Sequence, residues 1–185
     1  YNDINVKATA GLPILGAHSS QADPSIANGD TEFLKLNLST ASTHFFTQKT
    51  SIAIGTQFQL TPDNMLASEQ IGYGGQNFGQ GFSPYVISGD NGYMGSVALR
   101  YDLPTFEGVS LLRPQIFYDI GRVTLNDAAP GSADSYTGQS AGVGMLIQTE
   151  KNWEINLTLA KPLELTNTTN ADMGWDGFFS ITGRF

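Results

Sequence analysis

Four segments of the chain alternate apolar and polar residues with period two, the pattern of a strand whose two faces meet different surroundings. In TSIAIGTQFQL, Ile52, Ile54, Phe58 and Leu60 share one face, and Ser51, Ala53, Gly55, Gln57 and Gln59 share the other. In YMGSVALRYDL the apolar face is Tyr93, Val97, Leu99, Tyr101 and Leu103, with Arg100 and Asp102 opposite. NWEINLTLAKPL sets Trp153, Ile155, Leu157 and Leu159 against Glu154, Asn156 and Thr158. GFFSITGRF sets Phe179, Ile181 and Phe185 against Ser180, Thr182 and Arg184. INVKATAGLPI, EFLKLNLSTAS, LLRPQIFYDIG and SAGVGMLIQT alternate less strictly, and the short SEQIGYGG leads into a glycine-rich run. Together these segments predict about nine strands of roughly ten residues, the length that crosses a bilayer at a tilt.

The connections alternate as well. TPDN and QTEKN read as tight turns, whereas LNDAAPGSADSYTG and ELTNTTNADMGW are long and polar. Short turns at one end and long loops at the other suit an outer-membrane barrel. On a nine-strand count, GAHSSQADPSIANGDT falls on the short-turn side and breaks the rule. A soluble sandwich also alternates. It has no reason, however, to gather Tyr93, Tyr101, Trp153, Phe179 and Phe185 near strand ends on the apolar face, where a membrane barrel carries its aromatic girdles. The expected fold is therefore all-β, a transmembrane antiparallel β-barrel segment covering residues 1–185.

Composition narrows the function. Only 14% of residues are charged, against about a quarter in ordinary soluble domains. The 9 basic residues are scattered among 17 acidic ones, for a net charge of -8. Nucleic acid is excluded as a partner, because phosphate contacts need clustered Lys and Arg. With no cysteine, disulfides and thiolate metal sites are excluded too. His18 and His44 lack a metal-binding spacing and read as polar loop or strand-end residues. No run approaches the ~18 apolar residues of a transmembrane helix. YNDINVKATAGL shows no basic stretch followed by an apolar one, so no signal peptide is expected there.

Enzyme motifs fail on context. GQSAG, Gly138–Gly142, has the G-x-S-x-G form of a nucleophile elbow, but no histidine follows it to complete a triad, and it runs straight into an alternating segment. The glycine-rich run GYGGQNFGQGF has no lysine for a phosphate loop and no following helix for a dinucleotide site. Asp90 and Asn91 lack the regular spacing of a calcium loop, and Asn91–Gly92 reads as a turn. No catalytic residue, metal or cofactor is expected.

SEQIGYGGQNFGQGF followed by SGDNGYMGSVALRYDLP resembles the segment that enters and leaves the large sixth loop of the two-partner secretion transporters. These are the haemolysin secretion/activation proteins, in the superfamily of the barrel-assembly insertases. GLPILGA and FLKLNLS resemble that family's mid-barrel strands, LRPQIFYDIGRV the strand after the loop, and GVGMLIQTEKNWEINLTLAKPLE with FSITGRF its last three. The resemblance implies the C-terminal part of a sixteen-stranded bacterial outer-membrane barrel that exports a secreted partner protein without ATP. It implies an inward-folding loop at about Gly74–Gly92 serving as plug or gate. Outer-membrane lipid surrounds such a barrel, and the barrel-assembly machinery reads its terminal aromatic, here Phe185.

The family's loop tip carries an arginine that meets an acid on the inner wall. The corresponding run here is Gly79-Gln80-Gly81-Phe82, with glutamine at the arginine position. The expected acid is Asp119, on a polar face with Arg113, Gln115 and Phe117. Gln80 offers it only a neutral hydrogen bond, which leaves Arg100 and Arg113 as candidate cations. The alternatives are a small barrel closed by association with a second copy, with a structural or anchoring role, and a membrane-assembly factor of the same superfamily.

Overall fold

The computed structural model describes residues 1–12, 29–168 and 173–184. Its strands are β1 (Asn2–Gly11), β2 (Phe33–Phe45), β3 (Thr50–Leu60), β4 (Ile71–Tyr73), β5 (Ile87–Gly89), β6 (Asn91–Tyr101), β7 (Val109–Thr124), β8 (Ser135–Thr149), β9 (Trp153–Leu165) and β10 (Asp176–Gly183). Eight of them form one sheet in the order β1-β2-β3-β6-β7-β8-β9-β10, with every neighbouring pair antiparallel. The fold is a β-meander in which each strand hydrogen-bonds to the next strand of the wall.

Among the described residues the wall thus holds eight strands where the alternation counts nine. SEQIGYGG contributes only the three residues of β4, which pair with β5 in a separate hairpin between β3 and β6. Three residues reach about 10 Å, far short of a ~30 Å hydrocarbon core. TPDN is accordingly the root of this long insertion and not a turn between wall strands. The recount also removes the exception in loop length. The β1–β2 connection now lies at the same end as the β3–β6, β7–β8 and β9–β10 connections, and the shorter β2–β3, β6–β7 and β8–β9 connections lie at the other. Residues 13–28 of the link, which include His18 and most of GLPILGA, are outside the described residues, as is Phe185.

The two faces of the wall separate a membrane barrel from a sandwich. Ile116, Phe179 and Leu159 are 58%, 70% and 46% exposed, and Ile54, Val97, Val143 and Leu157 on the same face are also open. A soluble sandwich buries its apolar face. Here that face is bare, and burial occurs instead on the polar face, under the β4–β5 insertion. Ile71, Tyr73, Phe82, Ile87, Met94 and Val123 form the packed cluster there. Met94 and Val123 come from the wall, and the other four from the insertion.

Two prolines sit within wall strands where the ladder tolerates a missing N–H. Pro114 lies one residue past the last β6–β7 pair, Arg100↔Gln115. Pro162 adjoins a bulge: Gln139 pairs with Glu164 and Ser140 with Pro162, which leaves Leu163 as the extra residue.

The faces make opposite predictions for charge. In the full-length protein Ile116→Arg, at mid-strand on the bare face, is expected to destabilise folding into vesicles by about 2–4 kcal/mol. Ser39→Arg, on the polar face of β2, is expected to cost less than about 1 kcal/mol. Urea titrations of lipid-embedded protein, read by tryptophan fluorescence, measure both.

Candidate functional site: a loop seated on the inner wall

The insertion between β3 and β6 is held at its root, at one aromatic residue and at its tip. At the root, Asp90 is 3% exposed. Its Oδ1 accepts from the Met65 N–H at 2.9 Å and from Gln70 Nε2 at 3.1 Å, and its Oδ2 accepts from the Asn126 N–H at 2.8 Å. Gln59 of β3 donates through Nε2 to the carbonyls of Glu69 and Asp90, each at 3.0 Å. Lys35 of β2 pairs with Glu69 at 2.8 Å. One buried carboxylate thereby ties the insertion to the β7–β8 connection. Asn91 and Gly92, read from sequence as a turn, are the first residues of β6; the ladder to Thr124 and Val123 claims their backbone.

Tyr73 follows in the chain. Gly121 of β7 and Gly138 of β8 are directly paired on the inner face, and the Tyr73 ring lies over the floor they make. A Cβ on Gly121 would fall 2.3 Å from Tyr73 Cδ2, and one on Gly138 would fall 2.5 Å from Cε1. Any side chain at either position therefore expels the ring. Tyr73 is fully buried, and its hydroxyl donates to the Asp119 carbonyl at 3.3 Å and lies 3.5 Å from Ser140 Oγ. Burial pushes the phenol well above its ordinary pKa, so it stays a donor across the physiological range. The Phe82 ring packs beside it at 5.8 Å between centroids.

The tip reaches Asp119. Gly79 and Gln80 both donate their backbone N–H to Asp119 Oδ2, at 3.1 and 3.0 Å. Successive N–H groups converging on one anion form a small nest. The nest depends on the left-handed φ of Gly79, +78°, a conformation open to glycine at little cost. Gly81 (φ +98°) brings the loop main chain onto β9, where a Cβ would sit 3.3 Å from the Ala160 Cβ and the Lys161 backbone. Asp119 is fully buried between Ser96 of β6 and Ser140 of β8. Among the described residues no donor meets its Oδ1 in good hydrogen-bond geometry, with the Ser96 side chain the nearest polar neighbour on the wall.

The sequence-derived residues thus divide into two groups. Gly79, Gln80 and Asp119 meet, through backbone N–H groups and not through the Gln80 side chain. Gly81 and Phe82 lie against the same wall. Arg100 and Arg113 do not reach Asp119. Arg100 Nε donates to Gln115 Oε1 at 3.1 Å, and Arg113 Nη2 donates to Asp102 Oδ2 at 2.9 Å. The separation is a matter of reach: Asp119 lies four residues along β7 from Gln115, about 13 Å at strand rise. The sequence does not single out Tyr73, and it raises Asp90 only as a calcium-loop candidate, not as the anchor of the insertion. The signal for Tyr73 is the pair of glycines, in FYDIGRV and YTGQS, and it becomes readable only once the β7–β8 register is known.

The family model for "Haemolysin secretion/activation protein ShlB/FhaC/HecB" matches residues 1–145 of the chain. The chain belongs to this family.

It is accordingly part of an outer-membrane β-barrel, from the C-terminal half of a two-partner secretion transporter family member. Among curated proteins it is similar to the heme/hemopexin transporter protein HuxB of Haemophilus influenzae, 29% identical over 123 residues, 64% of this chain and 21% of that protein. HuxB of strain 86-028NP is 28% identical over the same length. Among solved structures, CdiB from Escherichia coli matches with a TM-score of 0.79 and 21% identity, over 97% of this chain and 33% of that one. The chain therefore spans about a fifth of the length of the curated relatives it matches. In an outer-membrane barrel of this family the ends can be named: the insertion and the other long connections are extracellular, and the short turns are periplasmic.

Two predictions follow from this geometry. In the full-length protein Tyr73→Ala is expected to weaken loop seating by about 3–5 kcal/mol, and Tyr73→Phe by about 1 kcal/mol. Gly138→Val should match the alanine variant, because the added side chain displaces the ring. Hydrogen exchange of residues 74–82 reads all three. At the periplasmic end Arg113 holds the Asp102 carboxyl below the ordinary carboxylate range. The pair's contribution is therefore full at neutral pH and is lost as pH falls through that lowered pKa. The pair is partly exposed, so it contributes about 0.5–1 kcal/mol, and Asp102→Asn should flatten the acid limb of a stability-against-pH curve by that amount.

Proposed function

We propose that this chain forms half of the wall, and the plugging loop, of a pore that exports a secreted partner protein across the outer membrane without ATP. The observation that carries the reading is the seating of the Gly74–Gly92 loop on the polar, lumen-facing side of the wall. Its glycines let main chain lie directly against β7, β8 and β9. No nucleotide site accompanies the loop in the sequence, and folding of the partner outside supplies a passive pull. The wall needs further strands: β1 and β10 are its edges, and unpaired edges are costly in hydrocarbon. We assign those strands to the rest of a sixteen-stranded barrel. The similarity to HuxB, a heme/hemopexin transporter protein, supports a transporter role.

In this reading the tip is the releasable contact. Two backbone N–H groups hold Asp119 Oδ2, and among the described residues Oδ1 has no donor in good geometry, so a cation at position 80 has an acceptor to meet. Gln80→Arg should therefore add a charge-assisted bond of about 1.5–3 kcal/mol, lower resting conductance and slow export. Asp119→Ala removes both existing bonds and should raise resting conductance. Gly81→Ala strains a left-handed position against β9 and should act in the same direction as Asp119→Ala. Planar-bilayer recordings and an export assay on full-length protein test this, and unchanged conductance and export in all three variants would refute the gate.

A further inference from the structure

At its root the insertion is tied to β2 and β3 through Lys35 and Gln59. Beyond the root, Tyr73, Gly79 and Gly81 press on β7, β8 and β9, while the opposite edge of the loop approaches β3 at Phe78 and otherwise faces β2 and β3 across open space. Two cavities of about 420 and 520 Å³ lie there, and both are lined by Gln76, Asn77 and Phe78. Phe78 rests against Gly55 of β3, where a Cβ would be 3.6 Å from the ring, an ordinary contact. The two cavities therefore adjoin along this stretch of the loop and form one groove.

The smaller cavity is rich in carboxamides, with Asn37, Gln57, Gln59, Gln70, Gln76 and Asn77 in its lining. The larger is lined mostly by hydroxyl and apolar residues, and it shares Gln76 and Asn77 with the smaller. Gln59 and Gln70 are committed to the root network. Gln57, Gln76 and Asn77 make no side-chain hydrogen bond among the described residues, although each carries both donors and an acceptor. Of the nearby charges, Lys35 is paired with Glu69, and Arg100 keeps its charge but is held against the wall by Gln115. A free carboxamide has the same donor and acceptor groups as a peptide unit. A row of them binds an extended main chain without regard to its side chains, whereas fixed charges would retain oppositely charged segments.

We infer that Gln57, Gln76 and Asn77 form a track that hydrogen-bonds the backbone of an unfolded polypeptide as it passes between the docked loop and β2–β3. The inference rests on the pore reading above and deepens it: the passage runs beside a seated loop, and the three carboxamides set the grip on the moving chain.

The test is current blockade of single full-length pores by two unstructured probes, a Gly/Ser polypeptide and polysarcosine, whose N-methylated backbone has no N–H to donate. In the unaltered protein, Gly/Ser blockades should outlast polysarcosine blockades. The triple variant Gln57→Ala/Gln76→Ala/Asn77→Ala should shorten Gly/Ser dwell times about tenfold, as loss of one or two net hydrogen bonds implies, and bring the two probes together. Heat-modifiable migration checks that the variant barrel is folded. Equal Gly/Ser dwell times in variant and unaltered pores overturn the track and leave the pore reading intact. If neither probe enters any pore, the pore reading falls and the track falls with it. Gln57→Cys and Asn77→Cys that cross-link to another segment of the same protein while polypeptide is present also overturn the track, since its occupant is then internal.

Discussion

Hydrocarbon offers a backbone no hydrogen-bond partner except another backbone, and every feature of this molecule is arranged under that constraint. It requires the wall strands to be long, consecutive and antiparallel, which eight of them are. It confines irregular main chain to the interior of the wall, where polar groups can meet it. The insertion between β3 and β6 satisfies the condition through named contacts. Asp90 gathers donors at the root, Asp119 receives two at the tip, and the Tyr73 hydroxyl takes a carbonyl between them. The site is thus a by-product of the same rule that shapes the wall.

Period two made the wall legible because lipid and lumen demand different residues on successive positions. β3, β6, β9 and β10 alternate strictly and were readable strand by strand. SEQIGYGG misled because a three-residue strand inside a barrel looks like the start of a spanning one, and that single miscount shifted the parity of every connection before it. The root network was not legible. Asp90, Gln59, Gln70 and Asn126 are far apart in sequence and carry no motif, and they meet only because β3, β6 and β7 end at the same level.

The loop tip shows how far a resemblance at one residue carries. Glutamine in place of arginine removes a guanidinium, yet Asp119 is still met by the loop, through a main-chain N–H that any residue but proline supplies at position 80. The requirement passes to Gly79, whose φ aims the two N–H groups at the same oxygen. Sequence comparison weighs position 80 because its side chain changes. The geometry gives more weight to its neighbour.

The paired glycines beneath Tyr73 have a consequence for assembly. A slip of β8 by one residue against β7 would set Gly121 opposite Thr137 or Gln139, and the floor would vanish under a side chain. The aromatic ring then has nowhere to settle, and the extracellular insertion stays adrift. Only the correct alignment of two neighbouring strands lets the loop come to rest, so a seated loop is the signature of a correctly registered wall.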